Sequence, residues 1–264
     1  MIRFFRSIRQ GLVNKGQTSK YFRYAVGGII LVVVGILIAL QVNNWNIERA
    51  EAKLAQKYIE RLIESVESDI GRFEGNIEQA KLKLGFVDFV AAAAEDPEIV
   101  RDRTAEFLFA VFYAPGGARA PLSSATYEEM VSNGFLRLLN DELKESVYNY
   151  YRRDRQIRDF NDFEADKFQY RELSAGVITY AQSSWMKDHF AEVFPSSMST
   201  IQALTYDEDS VVEAARRLQD NKALIDWLPR IQRNTAKGLV TLNGSKELAE
   251  EVLASLKAAP EESN

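Results

Sequence analysis

The sequence predicts an all-α chain, in which a single N-terminal transmembrane helix continues into a bundle of long antiparallel helices. Three observations lead there. Residues 24–46, YAVGGIILVVVGILIALQVNNWN, hold no charged side chain, although 27% of the chain is charged. Further on, apolar residues recur every three or four positions, which is the repeat of a one-sided helix. Strand signals are poor, since GFLRLL is the only candidate and it is short.

The first element is a basic segment, residues 1–23. At about 100° per residue Met1, Phe4, Phe5, Ile8 and Leu12 fall on one side and Arg3, Arg6, Arg9 and Gln10 on the other. That pattern suits a helix lying on an anionic inner leaflet, with Arg3, Arg6 and Arg9 as its membrane-surface residues. The plainer alternative is an unstructured basic tail that only sets topology.

Residues 24–46 follow as the expected span. As a helix they extend roughly 34 Å, against about 30 Å of bilayer hydrocarbon. Tyr21, Phe22 and Tyr24 stand at one edge and Trp45 at the other, the positions aromatic rings take at headgroup level. A cleaved signal peptide is the rival reading. It fits less well, because the apolar core over 25–40 is longer than usual and Leu37 stands where a cleavage site needs a small residue. Residues 1–23 carry six cations and no acid, which leaves −11 for the remainder against −5 for the whole chain. The positive-inside rule then places the N-terminus in the cytoplasm and residues 47–258 outside it, in the periplasm of a cell with an inner membrane. The absence of cysteine permits an oxidising compartment without requiring one.

Within the span Ala25, Gly28, Gly35 and Ala39 lie within about 80° of one another, and Asn43 and Asn46 continue that face. A groove of small residues lets a second helix approach closely. Against this, Val32 interrupts the groove and strict GxxxG spacing is absent.

The segment 47–258 reads as one helical domain. Leu54, Tyr58, Leu62, Val66, Ile70, Phe73, Ile77, Ala80, Leu84, Val87 and Ala91 form an apolar seam, with Glu60, Arg61, Glu64, Glu67 and Asp69 among the charged residues between them. One helix to about residue 94 is expected, continuous with the span. Asp96 and Pro97 suit the cap and first turn of a second helix over 97–113, and APGGARAPLSS after it is a loop. A short helix over 125–133 ends at Gly134. Asn140 caps a long fourth helix expected from 141 towards 182, and Pro195 marks another loop. Helices near 209–219 and 221–256 complete the domain, with Pro229 and Gly238 as kink points, and residues 259–264 form a frayed tail.

Composition removes much catalytic chemistry. With no cysteine and one histidine, thiolate metal sites, cysteine nucleophiles and two-histidine sites are excluded. His189, beside Trp185, Met186 and Phe190, reads as a surface or core-edge residue. The acidic runs TYDEDS and NDFEAD read as solvated faces. Residues 147–160, VYNYYRRDRQIRDF, combine tyrosines with arginines as an anion-binding patch would, but interleaved aspartates favour local ion pairs, with Tyr150, Ile157 and Phe160 facing the core. No phosphate-binding loop, nucleophile elbow or zinc-protease motif occurs. No cofactor and no nucleic-acid partner is expected.

Two segments carry a resemblance: the span motif itself and, about 80 residues on, TYEEMVSNGFLRLLNDELKESVYNYY. Together they resemble a family of uncharacterised bacterial single-pass membrane proteins, domain of unknown function 6090. The resemblance implies an uncleaved anchor and brings no activity with it. Gly28 stands where that pattern usually has an acidic residue, and Ile47 where it tends to have another. The expectation is therefore a non-enzymatic, membrane-anchored envelope protein whose helical domain assembles with a second copy or a partner membrane protein. The alternative is an extracytoplasmic ligand-binding or sensory domain, which needs a partner for output because 23 residues cannot house one.

Overall fold

The computed structural model describes residues 18–115, 121–158, 162–193 and 198–259. Among them every regular element is helical and no strand occurs, so the chain is all-α. The chain divides into two compact units, residues 1–57 with 262–264, and residues 58–261.

Among the described residues of the first unit, the only element is the leading part of helix α1 (Thr18–Glu95). It is the one described helix long and apolar enough to cross a membrane, and none of its most apolar window is buried. Every residue from 24 to 50 is exposed. The basic segment with Arg3, Arg6 and Arg9 lies outside the described residues.

In the second unit the seam of α1 faces inward as its spacing requires. Tyr58, Leu62, Val66, Phe73, Ile77, Ala80 and Val87 are buried, and Ile70, Leu84 and Ala91 are half-buried. Asp96 accepts the Glu98 amide at 3.0 Å and begins a new element. Here the structure departs from the single helix expected over 97–113. A 3₁₀ segment (Pro97–Arg103) comes first, and α2 (Thr104–Tyr113) starts after a break at Arg103, whose φ of −137° is not helical. Stepping out of the helix puts the Arg103 guanidinium beside Glu106 and 3.9 Å above the Phe89 ring. Residues 104–111 of α2 are buried on every side, which is the mark of a core helix rather than an amphipathic one. Phe107, Leu108, Phe109 and Val111 pack there with Phe86, Val90 and Ala93 of α1.

Helix α3 (Ala125–Ser132) ends at Gly134, whose φ of +70° is the left-handed conformation that glycine adopts without strain. The GFLRLL stretch then forms a 3₁₀ turn (Phe135–Leu138). Asn140 accepts the Leu143 amide at 2.8 Å and caps α4 (Asp141–Arg158). The long helix expected towards 182 is interrupted after Ser174: α4 and α5 (Asp162–Ser174) precede the break, and α6 (Tyr180–Asp188) follows it. Gly176, at φ +87°, turns the chain after α5. Thr179 and Gln182 then form a capping box, each side chain bonding the other's backbone amide, at 3.3 and 2.8 Å.

After the short helices α7 (Phe190–Val193) and α8 (Met198–Gln202), Asp207 caps α9 (Glu208–Gln219) through the Ser210 amide at 2.8 Å. Asn221 caps α10 (Lys222–Ala258) and also donates to the Leu173 carbonyl at 2.7 Å. Helix α10 passes through both expected kink points, Pro229 and Gly238, without ending. Its buried residues, Leu224, Leu228, Ile231, Thr235, Gly238, Leu242, Ser245, Ala249, Val252 and Leu256, again step by three or four. Polar pairs join it to α1 at Lys257 and Glu67 (2.6 Å), Lys246 and Glu74 (2.8 Å), and Gln232 and Asp88 (2.7 Å).

Tyr127, Met130 and Leu139 are buried around the turn at Gly134, and Leu136 is half-buried. Leu139→Ala is therefore expected to cost about 2–5 kcal/mol, read as a lowered melting temperature of the full chain in detergent. Val131→Ala, at a half-exposed position of the same motif, should stay within about 0.5 kcal/mol of the parent.

Candidate functional site

Three carboxylates, Asp69, Glu106 and Asp166, are buried in the second unit. An ionised carboxylate taken out of water needs charged or hydrogen-bonding partners to offset its desolvation. Each of the three has them.

Asp69 is the most connected. It sits on α1 between Val66 and Phe73 and is 1% exposed, although its sequence places it among the charged residues between the seam positions. The Ser123 amide donates to both of its oxygens, at 2.9 and 3.2 Å. Tyr150 donates its hydroxyl at 2.8 Å from α4, and Arg72, one turn along α1, pairs with the same carboxylate. Arg72 Nη2 also donates to the Pro121 carbonyl and to Ser123 Oγ, both at 2.9 Å. The Tyr151 hydroxyl reaches the Ser123 carbonyl at 3.4 Å, and its ring stacks on Tyr127 with centroids 4.4 Å apart. One aspartate and one arginine thus fasten α1 to the 121–124 segment and to α4.

Burial and the negative charge of Asp69 push the Tyr150 phenol well above its ordinary range, and burial does the same to Tyr151. Both phenols stay protonated at neutral pH. Both act as donors here, Tyr150 to Asp69 and Tyr151 to the Ser123 carbonyl, and Asp69 is saturated, so the cluster has the chemistry of a cross-link. Beside it Glu129 accepts from the Tyr58 hydroxyl at 2.7 Å and pairs with Arg61 at 2.6 Å. Thr126 Oγ1 lies 3.5 Å from Ser65 Oγ. The TYEEM motif is therefore joined to α1 at Thr126 and Glu129 and filled into the core at Tyr127 and Met130.

The other two carboxylates serve similar joints. Glu106 of α2 pairs with Arg103, whose Nε donates at 2.9 Å. Asp166 of α5 pairs with Arg230 Nε at 2.7 Å and with Asn234, both on α10. Lys83 is half-buried, and desolvation together with the charge of Lys167 holds its ammonium below the usual lysine range.

The remaining residues singled out from sequence fall as follows. His189 is half-buried, with Nδ1 2.8 Å from the Trp185 carbonyl and its ring 4.4 Å from the Trp185 ring. In the tyrosine-rich segment Tyr150 and Tyr151 are buried and Tyr148 is exposed, while the side chains of 153–164, including Ile157 and Phe160, lie outside the described residues. Of the acidic runs, Asp207 is a helix cap, Asp209 pairs with Arg101 at 2.9 Å, and Asp166 is buried rather than solvated. Among the described residues no group of His, Cys, Asp or Glu is placed to hold a metal ion. A depression of about 340 Å³ is lined by Asn140, Glu142, Leu143, Ala254, Ser255, Ala258 and Ala259.

In the first unit Ala25, Gly28, Gly35 and Ala39 are all exposed. A Cβ added at Gly28 or Gly35 would meet nothing within 4 Å. Trp45 is exposed, with the Arg49 guanidinium 5.6 Å from its ring. No family model, curated protein or solved structure matches the chain.

The joint at Asp69 generates a graded expectation. Asp69→Ala strips a buried pair of its anion and should cost about 3–5 kcal/mol. Tyr150→Phe removes one bond to a charged acceptor and should cost about 1.5–3 kcal/mol. Urea denaturation of the two variants, side by side, checks the order.

Proposed function

We propose that this chain is a single-pass inner-membrane protein, N-terminus in the cytoplasm, that works by assembling with a second copy or with a partner membrane protein through its helical domain and span. The observation that carries the reading is the exposure of every residue over 24–50 on a helix apolar enough to cross a bilayer. Lipid or another membrane helix is what such a surface needs around it. The six cations before the span favour the N-in orientation. The resemblance of the span and TYEEM motifs to a family of uncharacterised single-pass membrane proteins fits the same picture.

A non-catalytic role is supported by where the buried carboxylates go, since Asp69, Glu106 and Asp166 are each taken up in a joint between helices or turns. The bundle reading is supported by the pairs between α1 and α10, whose positions run in opposite order: 67 with 257, 74 with 246, 88 with 232.

Two experiments test the proposal. Protease added to intact spheroplasts should digest the chain beyond about residue 50; protection of that part would refute the orientation. Gly35→Leu with Ala39→Leu should abolish crosslinking between membrane helices, while Val33→Ala with Leu37→Ala should leave it. Equal signals from both pairs would remove the small-residue face from the account.

A further inference from the structure

Helix α1 carries two glycines four residues apart, Gly71 and Gly75, in the middle of the second unit. Both are exposed, and a Cβ added to either would meet nothing within 4 Å. No close approach and no left-handed φ demands glycine there, unlike Gly134 and Gly176 with φ of +70° and +87°. Each glycine in a helix interior lowers the helical equilibrium about fivefold relative to alanine. The pair therefore softens α1 over about one turn, with no return in packing.

The soft stretch coincides with the Asp69 joint. Asp69 and Arg72 bracket Gly71, and Arg72 and Asn76 bracket Gly75. Ser123 and Tyr150 hold Asp69, and Arg72 holds Pro121 and Ser123. Further side-chain bonds act along the helix itself: Arg72 Nη1 donates to Ser68 Oγ at 3.4 Å, and Asn76 Nδ2 donates to the Arg72 carbonyl at 2.8 Å.

We propose that residues 69–76 of α1 form a conformational joint, a glycine-softened turn of helix held in shape by the clamp from Pro121, Ser123 and Tyr150. With the clamp closed the helix is continuous. With it open, residues 71–79 lose helical hydrogen bonds before the rest of α1 does, which makes this turn the point where a partner that displaces the 121–124 segment would act on the long helix.

Hydrogen exchange on the full chain in detergent tests this by a mutant cycle. Asp69→Asn should speed exchange of amides 71–79 at least about tenfold more than that of amides 87–94. Adding Gly71→Ala and Gly75→Ala should reverse most of that rise, about tenfold or more. Adding Gly85→Ala instead, at another exposed glycine with nothing within 4 Å of its Cβ and no clamp beside it, should not. If Asp69→Asn fails to fold, Tyr150→Phe should give the same local pattern in smaller measure. A uniform rise across 71–79 and 87–94, no rise at all, or equal rescue by Gly85→Ala would overturn the joint.

Discussion

The structure depends first on an apolar helix whose large side chains are left exposed among the described residues. From Val26 to Val42 the large side chains, among them Ile29, Leu31, Val33, Leu37 and Leu40, are all exposed. Fully covering a Val, Leu or Ile side chain is worth about 1.5–3 kcal/mol, so leaving this run in water would cost on the order of tens of kcal/mol. That is more than the whole stability of an ordinary domain. An environment outside the described chain has to supply the cover, and this requirement is what the proposed membrane location rests on.

The second unit solves the opposite problem. Its helices carry polar faces, and its stability centres on α2, a short helix buried on every side. Around that centre, charge is used as fastening. Asp69, Glu106 and Asp166 would each destabilise a core if left unpaired, but each meets an arginine, and Asp69 and Asp166 also take donors from other elements. These joints are costly to break by halves, and so they specify which turns and helices meet. The Asp69 joint differs from the other two in falling on a stretch of helix weakened by glycine.

Much of this was legible in the sequence where the governing physics is local. The seam from Leu54 to Ala91 is buried or half-buried throughout, because a three-and-four spacing can face inward in only one way. Asp96 and Asn140 cap the elements they precede, since a cap acts over two or three residues. The division of the expected 141–182 helix was missed, although Thr179 and Gln182 stand at capping-box spacing and signal a fresh start. The 3₁₀ opening after Pro97 was missed because it shares its i+3 contacts with an α-helix. Asp69 was misplaced for a different reason. It lies three after Val66 and four before Phe73, which is on the seam, but a charged side chain at a seam position is ordinarily taken for a solvated one. The donors that make its burial tolerable come from Ser123 and Tyr150, 54 and 81 residues away, and no local pattern announces a partner at that distance. Tyr150 was read as core-facing from its own helix, but the carboxylate it serves was not.

The most direct measurement is the fractionation of cells expressing the full chain, followed by extraction of the membranes at alkaline pH. The account requires the intact chain, from Met1 onward, to remain with the bilayer under conditions that strip peripheral proteins. Release of the intact chain into the supernatant, or recovery of a soluble form that begins near residue 41, would contradict it.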